Sequence, residues 1–215
     1  MNPPHVEGER RADHSLKVTG EGVRTAAPDR AILTLGFVTE DSNPDTAQKT
    51  SAETVSNMIS AILALAILPE QIKTEDYRID ILYDYIEGKQ VFRGYQVTHL
   101  LQITTSMEQA GQVLDTAVKN GANTVSNVRF SLSNSEAFYN EALAAAYKDA
   151  EQKALALAAT AGITLNKVPV SIQEISSVSG PVPFQAQFAV KSSAPPLQPG
   201  ELTITATVNV EYGYV

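Results

Sequence analysis

The sequence predicts an α+β fold, an antiparallel β-sheet packed against helices in the order β-β-α-β-β-α-β-α-β-β. Three observations carry this. Residues 77–103 alternate apolar and polar side chains with a period of two on either side of a Gly-containing turn. Near the C-terminus Leu202, Ile204, Ala206, Val208, Val210 and Tyr212 alternate with Thr203, Thr205, Thr207, Asn209 and Glu211, the pattern of a half-buried antiparallel strand. Between these, residues 136–161 hold 11 alanines in 26 positions, a composition that strongly favours helix.

Taken in order, residues 16–23 and 31–40 read as the first two strands. The turn between them runs through Ala27-Pro28-Asp29, where Pro presets φ and Asp bonds nearby backbone N–H groups. Ile32, Leu33, Leu35, Phe37 and Val38 load both faces of the second strand, which places it inside a sheet. The first helix has a marked start. Asn43 caps, Pro44 occupies a position where its missing donor costs nothing, and Asp45 complements the helix dipole. Ala47, Val55, Met58, Ile59, Ile62 and Leu63 hold near-helical spacing to about Ala66, and Pro69 prevents continuation.

A hairpin follows. Tyr77, Ile79, Ile81, Tyr83 and Tyr85 alternate with Asp76, Arg78, Asp80 and Asp84. A helix here would stack Asp76, Asp80 and Asp84 at i, i+4 and repel, so the segment is a strand. The returning strand carries Val91, Tyr95, Val97, Leu101 and Ile103, again on odd positions. Odd must therefore face odd, which calls for an odd-length loop, Glu87-Gly88-Lys89. This register sets Tyr85 opposite Val91 and Ile81 opposite Tyr95. It assigns the odd-position rings to the core beside Ile79, Ile81 and Val97, and leaves Phe92 on the aspartate face. Gly88, Lys89, Phe92 and Arg93 remain as the candidate interaction surface.

Ser106-x-x-Gln109 opens a short helix that ends before Gly121, and residues 124–132 form a strand. Ser133-x-x-Glu136 opens the alanine-rich helix, which stops at Gly162. Residues 167–178 read as a strand. Residues 179–200, with five prolines, read as a long loop with a short strand at 185–190. The domain reading is a disordered segment over residues 1–15 and an α+β domain over residues 16–215, either single or split into two packed subdomains.

Bulk composition narrows the function. The 215 residues carry 16 basic and 24 acidic side chains, a net charge of −8, with no basic stripe to neutralise phosphates. Nucleic-acid binding and docking on anionic lipid are disfavoured. The absence of cysteine excludes disulfides, thiolate catalysis and zinc–sulfur sites. The longest apolar run, residues 61–68, is far too short to span a bilayer. The start lacks the apolar core of a signal peptide, so the expected location is cytoplasmic for a full-length chain, and exported or periplasmic if a leader has been removed.

Chemical motifs are few. His5, His14 and His99 are the only histidines, and His99 lies on a strand among apolar neighbours, which suits a structural role better than metal ligation. Asp76, Asp80 and Asp84 sit about 13 Å apart along their strand, too far for one cation or a paired-carboxylate mechanism, with Arg78 easing their repulsion. Gly20-x-Gly22 lacks the third glycine of a dinucleotide loop and fits a bulge or a close backbone approach. No catalytic residue, metal ligand or cofactor is assigned, and the chain is expected not to be an enzyme.

The ordered series Val18-x-Gly20-x-Gly22, Pro28-Asp29-x-Ala31, Ile72-Lys73-Thr74, Tyr83-x-Tyr85, Gly94-Tyr95, Gly121-Ala122-Asn123 and Pro199-Gly200 resembles the SIMPL family, also catalogued as DUF541. So does the helix containing Tyr139, Ala142-Leu143 and Asp149-Ala150. The resemblance implies a bacterial periplasmic or surface-exposed protein, or an adaptor, and supplies no catalytic residues. Where relatives often end the first helix with Gly-Ile, this chain has Ala66-Ile67, which leaves Pro69 to end it. The functional expectation is a protein-interaction or assembly module, binding a protein partner or itself, in stress response or at the cell envelope. The alternative is a small-molecule-binding protein or weak enzyme whose pocket, near the hairpin, uses Tyr83, Arg93 and Tyr95.

Overall fold

The computed structural model describes residues 14–175, 182–183 and 199–215. In chain order its elements are β1 (Ser15–Ala26), β2 (Arg30–Asp41), α1 (Pro44–Leu63), β3 (Ile72–Ile86), β4 (Lys89–Ser106), α2 (Met107–Lys119), β5 (Thr124–Ser131), α3 (Ser135–Ala161), β6 (Ser171–Glu174), β7 (Val182–Pro183) and β8 (Leu202–Gly213). The fold is α+β, with strands in two antiparallel sheets. The order follows the prediction, with the two-residue β7 added and the strand expected over 167–178 reduced to β6. Ser15, assigned to the disordered start, already belongs to β1. Residues 1–13 and the expected strand at 185–190 lie outside the described residues. The chain divides into two compact units.

One unit is built chiefly from residues 26–133. Its sheet has the order β3-β4-β2-β5, so β2 is interior, as its two apolar faces require. The helices α1 and α2 pack on β2 and β4. Leu33, Leu35, Leu101 and Ile103 from the sheet meet Val55, Met58 and Ile62 from α1 and Val113 and Ala117 from α2, all essentially inaccessible to water. The Asn43 side chain accepts from the Asp45 and Thr46 N–H groups at 2.8 and 3.4 Å, with Pro44 at the first helical position.

The end of α1 departs from expectation. The helix stops at Leu63, and Ala66 adopts a left-handed φ of 61°. The chain therefore makes a left-handed stop with an alanine, where Pro69 was expected to do the work, and bears the steric cost of a Cβ there. The 3-10 turn at Pro69–Gln71 then leads into β3.

The other unit comprises the described parts of residues 1–25, 134–182 and 203–215. In its sheet β8 lies between β1 and β6, and β7 also pairs with β8. The β1–β8 pairing is antiparallel, marked by the Tyr214 N–H bond to the His14 carbonyl (3.0 Å), the Lys17–Glu211 ion pair (3.4 Å) and the Thr19 hydroxyl bond to Asn209 (2.7 Å). All six even-position residues named for β8 are buried. On α3, Ala142, Ala146, Ala150, Ala154 and Ala158 form a buried i, i+4 row. Against it lies the Gly20-x-Gly22 segment of β1. A Cβ built on Gly20 would stand 2.0 Å from the Ala146 carbonyl oxygen, and one on Gly22 1.9 Å from that of Ala142. The paired glycines thus serve close helix–strand approach, fixed further by bonds from the Glu21 N–H to Asp149 (2.9 Å) and from Lys153 to the Thr19 carbonyl (3.1 Å).

The expected capping box at Ser133 is replaced. Asn134 caps α3 by accepting from the Ala137 N–H at 3.2 Å. Ser133 instead donates both its N–H (2.7 Å) and its hydroxyl to Asp29. Those bonds hold the Asp29 carboxyl below its usual range, the hydroxyl bond being the largest cause. Gly162 closes α3 with a left-handed φ of 70°.

Candidate functional site

The β3–β4 hairpin extends past the sheet that carries it. Strand β4 pairs with β2 from Ser106 back to Tyr95. Beyond that point residues 82–94 run on as a two-stranded ribbon. Strand β3 forms the sheet edge, and it lies outside the cover of α1 and α2, whose packing partners are β2 and β4.

The register at the tip corrects the prediction. The loop has two residues, Glu87 (φ 51°) and Gly88 (φ 76°), between the paired Ile86 and Lys89. Two consecutive left-handed residues make the hairpin turn that matches strand twist. Tyr85 therefore faces Gln90, and Tyr83 faces Phe92. Ile81 still faces Tyr95, because the register shifts between Leu82 and Tyr83 and leaves Arg93 unmatched. A one-residue bulge reconciles the even loop with the apolar parity further down.

The bulge has a chemical result. It turns Phe92 away from the aspartate face and onto the aromatic one, edge-to-face with Tyr83 (centroids 6.3 Å) and Tyr95 (5.4 Å). It also frees Arg93 to reach sideways. The guanidinium bonds Glu40 of β2 and lies 3.7 Å from Asp84 of β3. Glu40 receives a second bond from Gln96 at 3.1 Å. The hydrogen bond to Glu40, then its charge, raises the Arg93 pKa above its already high ordinary value.

The odd-position side chains of β3 are not core. Tyr77, Ile79, Ile81 and Tyr83 are 42–52% exposed and Tyr85 75%, with Phe92 at 49% beside them. Parity assigned the β3 residues to the correct face, the one β4 buries through Val97 and Leu101. The error lay in assuming that helices cover that face as far as β3. Strand lengths held the missing signal: β3 and β4 span 15 and 18 residues against 12 for β2, so part of the hairpin had to overhang.

Of the four candidate surface residues, Phe92 joins the exposed aromatic cluster and Arg93 the ion-pair group at its base. Gly88 and Lys89 occupy the open tip, where a Cβ on Gly88 would meet nothing within 4 Å. Sequence reasoning missed Glu40 and the exposed Tyr77-Ile79-Ile81 stripe. On the opposite face Arg78 binds both Asp76 (2.6 Å) and Asp80 (3.0 Å), easing their repulsion as predicted.

His99 is half-buried, edge-on to Tyr77 at 5.0 Å with Nε2 3.5 Å from the Thr74 hydroxyl, and burial lowers its pKa. No group of three or more His, Asp or Glu side chains able to hold a metal occurs among the described residues. In the other unit a cavity of about 260 Å³ is lined by Glu151, Leu155, Leu165, Asn166, Lys167 and Tyr212. The Tyr212 hydroxyl is buried beside Tyr147. Burial, then the neighbouring Tyr147 and Glu151, push its pKa up. Tyr83, Arg93 and Tyr95 do not line this cavity. No helix among the described residues is long and apolar enough to cross a membrane.

Fold and surface together define a two-unit α+β protein whose most prominent exposed feature is an uncovered aromatic hairpin. The chain belongs to the SIMPL family, described as a protein of unknown function (DUF541), with residues 16–212 matched. It is 30% identical over 209 residues to the 26 kDa periplasmic immunogenic protein of Brucella melitensis, covering 92% of this chain and 83% of that protein. The Brucella abortus protein of the same name is equally similar. The uncharacterized protein YggE of Escherichia coli is 28% identical over 144 residues, covering 66% of this chain and 58% of YggE.

Proposed function

We propose that the chain is a non-enzymatic docking and assembly module whose contact surface is the outer hairpin. The observation that carries this is the stripe of Tyr77, Ile79, Ile81 and Tyr83 on the edge strand β3, with Phe92 of β4 beside it, all more than 40% exposed. An apolar row beside unpaired backbone donors and acceptors is the usual substrate for strand addition. The similarity to the periplasmic Brucella protein supports a working site in the cell envelope. The test places a photoreactive phenylalanine analogue at Tyr85 in native cells. A discrete adduct of two copies, or of one copy with an identified protein, is expected, and it should vanish in a Tyr83→Ser, Phe92→Ser variant. Absence of any adduct above background tells against the reading.

A second reading rests on the cavity at Tyr212, whose lining sets Glu151, Asn166 and Lys167 beside Leu155 and Leu165, a mix that suits a small polar ligand. Protein labelled with 3-fluorotyrosine can be titrated with acetate, glycine and inorganic phosphate. Saturable movement of the Tyr212 resonance supports a binding site there. An unmoved resonance with all three probes counts against it.

A further inference from the structure

We propose that the occupant of the β3 edge is a second copy of this chain, its β3 pairing antiparallel about a twofold axis at Ile79. The inference rests on the docking reading and names its partner. Two symmetry-related antiparallel strands must set residues of equal parity opposite each other, because only alternate residues turn their N–H and C=O groups outward. Apolar positions then face apolar positions automatically, and charge decides among the allowed registers.

An axis at Arg78 would set that guanidinium against itself and Asp76 against the partner's Asp80. An axis at Asp80 would oppose Asp80 to itself and Asp76 to the partner's Asp84. Both registers are repulsive. With the axis at Ile79, Arg78 faces the partner's Asp80 and Asp80 faces the partner's Arg78. Tyr77 then faces the partner's Ile81, an aromatic–β-branched pair of the favoured kind. Asp76 and Asp84 fall opposite the partner's Leu82 and Thr74, so no two carboxylates meet.

Axes at Tyr77 or Ile81 also avoid like charges but leave strand ends unpaired. Strand β3 runs from Ile72 to Ile86, and its midpoint is Ile79. The stretch of unbroken register between the two irregularities, Asp76 to Leu82, has the same midpoint. Overlap and charge therefore select one register. Charged side chains on an edge often serve to block pairing. A block must repel in every register, whereas these charges attract in the longest one.

The absence of cysteine makes the test clean, and the positions it uses are exposed, so the fold is preserved. Opposed residues in such a pair have Cα atoms about 4.5–5.5 Å apart, within disulfide reach. Under mild oxidation Ile79→Cys should give a covalent dimer at least about tenfold faster than a Lys49→Cys control, since pairing makes the reaction intramolecular. Tyr77→Cys and Ile81→Cys should each cross-link slowly alone and rapidly when mixed. Arg78→Asp should weaken self-association about tenfold by sedimentation, and the charge-swapped Arg78→Asp, Asp80→Arg variant should recover it. An Ile79→Cys protein that oxidises no faster than the control overturns the proposal. If the Tyr85 photo-adduct then contains another identified protein, docking stands and self-pairing falls; if no adduct forms, both fall.

Discussion

Replacing Gly22 by alanine builds a methyl group 1.9 Å from the Ala142 carbonyl oxygen and 2.5 Å from the Ala146 nitrogen. Both are helix backbone atoms, so no rotamer change relieves the overlap. The first separation is roughly 1.5 Å short of ordinary contact, and α3 must retreat from β1 by a comparable distance. A gap of 0.5–1 Å already forfeits about a quarter to a half of a dispersion contact, and the nearby buried alanines lose theirs together. The bonds from Glu21 to Asp149 and from Lys153 to Thr19 stretch as well. The sum belongs at the upper end of the overpacking range, about 3 kcal/mol, or a fall of roughly 6–12 °C in melting temperature for a chain of this length. Gly111→Ala is the matched control. It lies in α2, and its Cβ would meet nothing within 4 Å, so the same substitution should stabilise by about 0.5–1 kcal/mol. Thermal melts followed by circular dichroism read both. A Gly22→Ala protein melting within about 2 °C of wild type would refute the claim that the two glycines exist for close approach.

The left-handed alanine that ends α1 makes Ala66→Gly a stabilising change. Relief of about 1–2 kcal/mol of Cβ strain, less glycine's entropic cost, leaves about 0.5–1 kcal/mol; a lowered urea midpoint would contradict it. His99 has a pKa depressed by burial below its ordinary 6.5. Below about pH 6.5 the unfolded chain therefore takes up a proton that the folded chain resists, and stability is lost as pH falls through that region. Urea midpoints at pH 7.5 and 5.5 should converge with those of His99→Gln at the lower pH, and parallel pH profiles would exclude the effect. Arg93→Ala removes the link from β4 to Glu40 and Asp84. These groups are exposed and screened by solvent, so global stability should scarcely change, while amide exchange over residues 83–92 should quicken about three- to fivefold. Unchanged protection there would show that Arg93 does not anchor the ribbon.

Much of the fold was legible because local rules act alone at those places. Asn43-Pro44-Asp45 marks a helix start regardless of what packs on it, and strict alternation in β8 identifies the buried face of an antiparallel strand. The alanines of α3 and the Gly20-x-Gly22 segment each pointed to close packing, and the structure shows them meeting each other. Reading failed where a tertiary partner outbid the local signal. Ser133 has the sequence of a helix cap, but Asp29, 104 residues away, takes both of its donors and leaves the cap to Asn134. Ala66 lacks the freedom of glycine, yet the connection to β3 forces it left-handed.

The hairpin shows a deeper limit on what periodicity conveys. Alternation tells which residues share a face, never whether anything covers that face. A parity count also assumes an unbroken ladder. The bulge at Arg93 shifts every residue towards the tip by one, moving Phe92 from the aspartate face to the aromatic one. The rings expected in the core and the phenylalanine expected outside it thus form one exposed surface. An overhanging ribbon of two strands is marginal in water by itself. The chain retains this one through an edge-to-face aromatic row on one side and an Arg93–Glu40–Asp84 group at its base. Holding apolar side chains in order while leaving them in water is unfavourable for an isolated chain. The arrangement makes physical sense when that surface is covered during function, and the charge pattern of β3 matches its own reverse.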